Sequence, residues 1–384
     1  MNNSPKQVIG RGRSVMSAYV EGVRDRWAHA PSWQRYTIFA LLFVLALALP
    51  TMPLGPIMSP YVDWPSLLFF PVGVYILLAL GLNIVVGLAG LLDLGFVAFY
   101  AIGAYHLAYL GTKFEWNFWV VAPIAILMAA VSGVMLGAPT LRLRGDYLAI
   151  VTLGFGEIVR ITAMNTEAIG GTNGIPGIPH PPTIEGGPVL GTVEIFKYGL
   201  LDSAPYYYLI VVLCAIIIIL ARRWEHSRVG RAWAAIREDE DAAEVMGVPT
   251  FKFKLLAFAT GAAIGGATGA FWAGKVVSIV PQDFPFILSA TILAAVVLGG
   301  SGNIPGVMLG AFLVAWLPER FRGLQEWRFM AFGAVLVLMM IYRPEGILPS
   351  RQRKAELKEG TGGMGSLGAE VGGPDSGEHV EVVK

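Results

Sequence analysis

The stretch Pro205-Tyr-Tyr-Tyr-Leu-Ile-Val-Val-Leu-Cys-Ala-Ile-Ile-Ile-Ile-Leu-Ala221, followed at once by Arg222-Arg223, decides the class of fold. It offers no polar face to water, as a helix on the surface of a soluble domain would. Roughly 20 apolar residues rising 1.5 Å each cross the ~30 Å hydrocarbon core of a bilayer. On that ruler the chain shows further spans near 37–54, 66–86, 92–111, 118–138, 146–163, 255–273, 286–300, 304–317 and 327–342, beside the one at 205–221. Composition agrees: 55% of residues are hydrophobic and only 14% charged, against about 25% charged in a soluble domain. The expected fold is an all-α polytopic integral membrane protein of about ten transmembrane helices, eight to eleven, some broken or re-entrant. The pair between Pro285 and Pro318 leaves the count open. Both members are short, and the glycine-rich run from Gly299 to Gly306 separates them.

Lys and Arg in short loops set orientation. Lys6, Arg11, Arg13, Arg24, Arg26 and Arg35 place the N-terminal lead in the cytoplasm, and the loop from Pro53 to Pro65, which carries no Lys or Arg, reads as external. The segment 222–254 carries Arg222, Arg223, Arg228, Arg231, Arg237, Lys252 and Lys254, and reads as a cytoplasmic loop. The segment 164–204 holds Lys197 against Glu167, Glu185, Glu194 and Asp202, and reads as external. Three parts follow. Residues 1–35 are a basic cytoplasmic lead, where Val15, Tyr19, Val23 and Trp27 recur every four residues as in a surface amphipathic helix. Residues 36–348 are the transmembrane part. Residues 349–384 form a Gly-rich tail with no apolar period, expected to be disordered. Both termini fall inside. Arg320, Arg322 and Arg328 fall outside in a ten-span arrangement and disagree with the rule.

The cytoplasmic segment from Gly230 to Gly247 carries the clearest mechanical signal. Ala232, Trp233, Ile236, Ala243 and Met246 gather towards one side at helical spacing, with Arg231, Arg237, Glu238, Glu240, Asp241 and Glu244 largely on the others. Gly247 followed by Pro249 is a stop signal. Such a helix suits docking into a groove on a soluble partner; a solvated loop helix would show the same pattern.

Asp241-Ala242-Ala243-x-x-x-Gly247 resembles the coupling motif of ABC importer permeases, with Asp where Glu is usual. Longer runs are similar to the branched-chain amino-acid permeases of the LivM type: Gly81 to Gly95, Ala101 to Tyr105, Leu141 to Arg160, and Gly170 to Ile175. The resemblance covers roughly 66–348 and implies a permease subunit in a bacterial plasma (inner) membrane. Its partners would be a second permease of the LivH type, two ATP-binding subunits and an extracytoplasmic substrate-binding protein, with no nucleic acid. ATP and magnesium would sit on the partner ATPases, so this chain needs no cofactor and is not itself an enzyme. A permease for urea or a short-chain amide is the alternative within the class, and an ion-coupled secondary transporter the alternative outside it.

Two glycine-rich interruptions, Gly87, Gly90 and Gly95 in the first half and Gly299, Gly300 and Gly302 in the second, mark candidate pathway breaks, where half-helix ends expose backbone groups. Charged residues in spans cost about 2.5–3.5 kcal/mol each on insertion scales, so each calls for a reason. Glu157 and Arg160 lie three apart on one helix face and can pair, or guide a zwitterion. Asp93 and Asp146 read as interfacial; Asn83 and His106 as mid-span groups for interhelical hydrogen bonds. Repeats at Gly261, Gly265, Gly269 and at Gly302, Gly306, Gly310 suit close helix packing. Gly269 to Lys275 spells a phosphate-loop pattern, but Val276 stands where Ser or Thr is required. His29, His106, His180, His226 and His379 are scattered, and no metal site is expected.

Overall fold

A computed structural model describes residues 32–51, 63–141, 146–183, 189–190, 193–194, 197–199 and 202–320, with 327, 330, 333–334, 337 and 346–348. The expected amphipathic lead, the tail from 349 and most of the span at 327–342 lie outside the described residues. The chain divides into two units, Met1–Pro53 and Leu54–Lys384. The first contributes α1 (Ser32–Ala48), an apolar helix closing in a single 3-10 turn at Leu49–Thr51.

In the second unit the helices are α2 (Trp64–Leu88), α3 (Val97–Lys113), α4 (Phe118–Thr140), α5 (Asp146–Asn165), α6 (Ala204–Glu225), α7 (Arg228–Glu238), α8 (Glu240–Val245), α9 (Thr250–Val276), α10 (Phe286–Gly299) and α11 (Ile304–Arg320). Among the described residues six segments are long and apolar enough to cross a membrane: α2, α4, most of α5, α6, α9 and the stretch ending in α10. α7 and α8 lie at one end of this bundle. At the other, β1 (Ile175–Pro176) pairs antiparallel with β4 (Ser278–Ile279), and β2 (Val189–Leu190) with β3 (Val193–Glu194).

The centre is α9, packed along α3 and α4. Its small residues allow this. Gly261 faces Val85, Gly265 faces Phe99, and Gly269 lies on the Tyr100 backbone. With no water in the lipid core to drive helices together, such close backbone approach provides the packing. The second repeat also packs within the unit: Gly306 lies on Gly299, and Gly310 on the Ala295 carbonyl. The phosphate-loop spelling at Gly269–Lys275 is continuous helix with Trp272 buried, not a loop.

Three expectations need correction. The span expected at 92–111 begins only at Val97, because the connector turns at Gly90 (φ 72°) and folds back among the helices. Asp93 in that connector is fully buried rather than interfacial. Its Oδ1 accepts from Gly95 N at 2.8 Å, while Leu94 N donates to Thr152 Oγ1 at 3.0 Å. His106 bonds the Ile102 carbonyl of its own helix at 2.7 Å rather than another helix. The side chain of Asp146 lies outside the described residues. α10 and α11 form a helical hairpin, its turn held by Asn303 N donating to Gly300 O at 3.2 Å.

Candidate coupling site and helix breaks

α7 and α8 are two helices, not one. Ser227 caps α7 by accepting from Val229 N at 3.1 Å, and Asp239 breaks the run. Asp239 is extended (φ −154°, ψ 111°), and its carboxylate accepts from Ala242 N at 3.0 Å. A short acidic side chain favours this cap, and Glu240 and Asp241 in the first turn complement the helix dipole. The sequence signal, three acids in a row after Glu238, was there to be read.

Ala232, Trp233, Ile236 and Ala243 are buried as expected, but Met246 is 83% exposed, and its neighbour Val245 is 87% exposed. The chain leaves α8 through Gly247 at φ 86°, a conformation that suits glycine. Arg231, Glu238, Asp241 and Ala242 are exposed as well. A two-residue apolar tip, with the exposed Asp241 and Glu244 just before it in the sequence, is thus held out from the bundle.

Behind the tip the anchoring is firm. Trp233 has no exposed surface, and its Nε1 donates to Phe253 O at 2.8 Å. Lys254, 4% exposed, forms an ion pair with Glu240. Truncating a buried aromatic costs roughly 3–5 kcal/mol, so α7, α8 and the start of α9 hold as one body. Sequence reasoning missed Phe253 and Lys254 because these partners face α7 and α8 only once the loop has folded back.

Arg237 reaches away from that body to the first break. Its Nη1 donates to Gly87 O at 2.5 Å, and its side-chain stem crosses Gly90, where a Cβ would lie 2.8 Å from Arg237 Cγ. The break itself is a π turn, Asn83–Leu88. Asn83 is 2% exposed, and its Oδ1 accepts from Gly302 N in the second break at 2.8 Å. Gly300 (φ 108°) and Gly302 (φ 82°) form that second break, and Gly299 lies against the Gly306 backbone. The structure therefore joins Asn83, Gly87, Gly90, Gly299, Gly300 and Gly302 with Arg237. Gly95 stands apart, on the Thr152 backbone of α5.

Glu157 and Arg160 are separate again. They form an ion pair, with Arg160 Nη2 2.8 Å and Nε 3.0 Å from Glu157 Oε2, at 31% and 27% side-chain exposure. They border a cleft between α3, α5 and the start of α10, lined also by Val97, Leu153 and Phe286, with free space for about one water. A partly exposed pair of this kind contributes at most about 1 kcal/mol in water. In lipid its main effect is to offset the insertion cost of two charges.

No solved structure matches this chain. Similar proteins are the "High-affinity branched-chain amino acid transport system permease protein LivM" of Escherichia coli K12, 43% identical over 85% of this chain and 78% of the relative, and its counterpart in Salmonella typhimurium, 42% identical over 85% and 78%. The permease LivH of Salmonella typhimurium is 25% identical over 71% of this chain and 91% of its own. The family model described as "Branched-chain amino acid transport system / permease component" matches residues 66–342. With that match over most of the bundle, the chain belongs to the branched-chain amino acid transport permease family.

Proposed function

We propose that this chain is the permease subunit of an ATP-driven importer, carrying leucine, isoleucine and valine across the bacterial plasma membrane by alternating access. The observation that carries the reading is the exposed Val245–Met246 tip, anchored through Trp233 and Lys254 to the helix at the centre of the bundle. An exposed apolar tip on a rigid mount fits a groove on a partner and passes a push inward. Separate ATPase chains, holding ATP and magnesium, supply the push. A second permease of the LivH type completes the pore, and an extracytoplasmic binding protein delivers substrate. The named activities of the LivM relatives support the choice of substrate. About ten spans, both termini and the α7–α8 end in the cytoplasm, and the β1–β4 end outside are the arrangement that the charged loops favour.

Competition in vesicles holding the complete complex tests the substrate. Uptake of labelled leucine is expected to be suppressed by excess isoleucine or valine and untouched by urea. Suppression by urea alone contradicts the proposal.

A further inference from the structure

We propose that Arg237 and Asn83 are positioning residues that link the α7–α8 body in series to both helix breaks, so that a push on the tip moves the two breaks as one. This rests on the reading of α7 and α8 as the element that a partner ATPase moves.

Four observations place the linkage. First, Arg237 lies in the last turn of α7 and donates to Gly87 O at 2.5 Å across 150 positions of sequence. The last carbonyls of a helix have no partner within it, and a cation is favoured there by the helix dipole. The contact thus attaches α7 to the end of α2. Second, the stem of Arg237 passes close over Gly90, where a Cβ would lie 2.8 Å from its Cγ. Any side chain at Gly90 would displace it. Third, Asn83 carries the attachment onward by accepting from Gly302 N at 2.8 Å. A Cβ on Gly87 would overlap Asn83 Oδ1 and lie 2.5 Å from Gly302 N, so glycine there keeps the route open. Fourth, the second break is itself tied down. Ile347 N donates to Leu298 O at 2.8 Å, Leu348 N to Gly299 O at 3.1 Å, and Asn303 Nδ2 to Leu348 O at 2.8 Å.

The contacts fall where helices bend most readily. A π turn and a glycine-rich turn both leave the main chain without its regular ladder, so a modest displacement is absorbed there rather than in the packed faces of α9. Both links end on main-chain atoms of the breaks, so a displacement carried by either side chain is delivered to the backbone there. A simpler role, in which Arg237 only caps α2, would account for the first contact. It would not account for the Asn83–Gly302 bond that continues the line.

The test uses the complete complex in proteoliposomes, measuring leucine uptake and ATP hydrolysis on the same preparation. Arg237→Ala and Asn83→Ala are each expected to lower uptake at least tenfold while hydrolysis stays within twofold of wild type. The double variant should be no worse than the poorer single, as links in series require. Arg237→Lys, which keeps a donor, should recover part of the loss. Uptake and hydrolysis falling in proportion, or losses that multiply in the double variant, would overturn the linkage.

Should a variant fail to assemble, spin labels in the otherwise intact complex decide. With labels at the exposed positions Glu238 and Pro305, the separation is expected to hold between nucleotide-free and ATP-trapped states, while the Glu238–Glu115 separation changes. A changed Glu238–Pro305 separation contradicts the proposal. Wild-type complex that hydrolyses ATP without importing leucine would instead overturn the function proposed above, and the two failures are separable.

Discussion

Replacing Val245 and Met246 together by aspartate is expected to abolish ATP-dependent uptake while leaving the permease folded. The two side chains are 87% and 83% exposed and touch little of their own subunit. Surface changes of this kind shift stability by no more than about 0.5 kcal/mol. Docked in a groove, each would bury most of its apolar surface, contributing about 1.5–3 kcal/mol apiece. Two carboxylates in their place forfeit that and must also be desolvated without a partner. The loss exceeds about 3 kcal/mol, or more than a hundredfold in association. Co-purification with the ATPase chains and uptake in vesicles both read it. A double variant that still recovers ATPase and imports at the normal rate shows that the tip is not gripped.

A second large effect is expected at the centre of the bundle. Gly269→Val should prevent recovery of folded subunit, because a Cβ there would overlap the Tyr100 carbonyl oxygen and lie 2.9 Å from Ala104 N. Gly103→Val meets the Gly266 backbone in the same seam. These neighbours are main chain of helices hemmed in on several sides, and they cannot rotate away. Overpacking a well-filled core already costs about 1–3 kcal/mol when side chains alone must yield. Parting α3 from α9 costs more. Gly154→Val is the control, since nothing lies within 4 Å of its Cβ position. Gel filtration and thermal melting in detergent should show the control behaving as wild type and the other two lost. Equal behaviour of all three would mean that the α3–α9 seam is not close-packed.

Six of the spans were legible, among the described residues, because one length set by the bilayer governs them. The ends of α4 and α10 fell within two residues of their expected positions for that reason. The late start of α3 was not legible. Leu91, Leu94 and Phe96 are as apolar as any span, and only Gly90, Asp93 and Gly95 hint that the chain there is not helical. The ion pair Glu157–Arg160 was legible because three residues of spacing on a helix fixes a neighbour. Within the coupling segment, the buried side was read from periodicity as far as Ala243, and Met246 was misplaced because α8 ends at Val245 and the chain turns out through Gly247. The bond from Arg237 to Gly87 lay beyond any local pattern. It joins the two sets of candidate residues that the sequence presented separately.

The central claim is that α7 and α8 are a handle moved by another polypeptide. The most direct measurement compares leucine accumulation in vesicles containing this chain alone, this chain with its second permease, and the complete complex with ATPases and binding protein, each with ATP on the α7–α8 side. Accumulation is expected only in the complete complex and only with hydrolysable ATP. Accumulation of leucine by the chain alone, under an ion gradient and without ATP, would contradict the account.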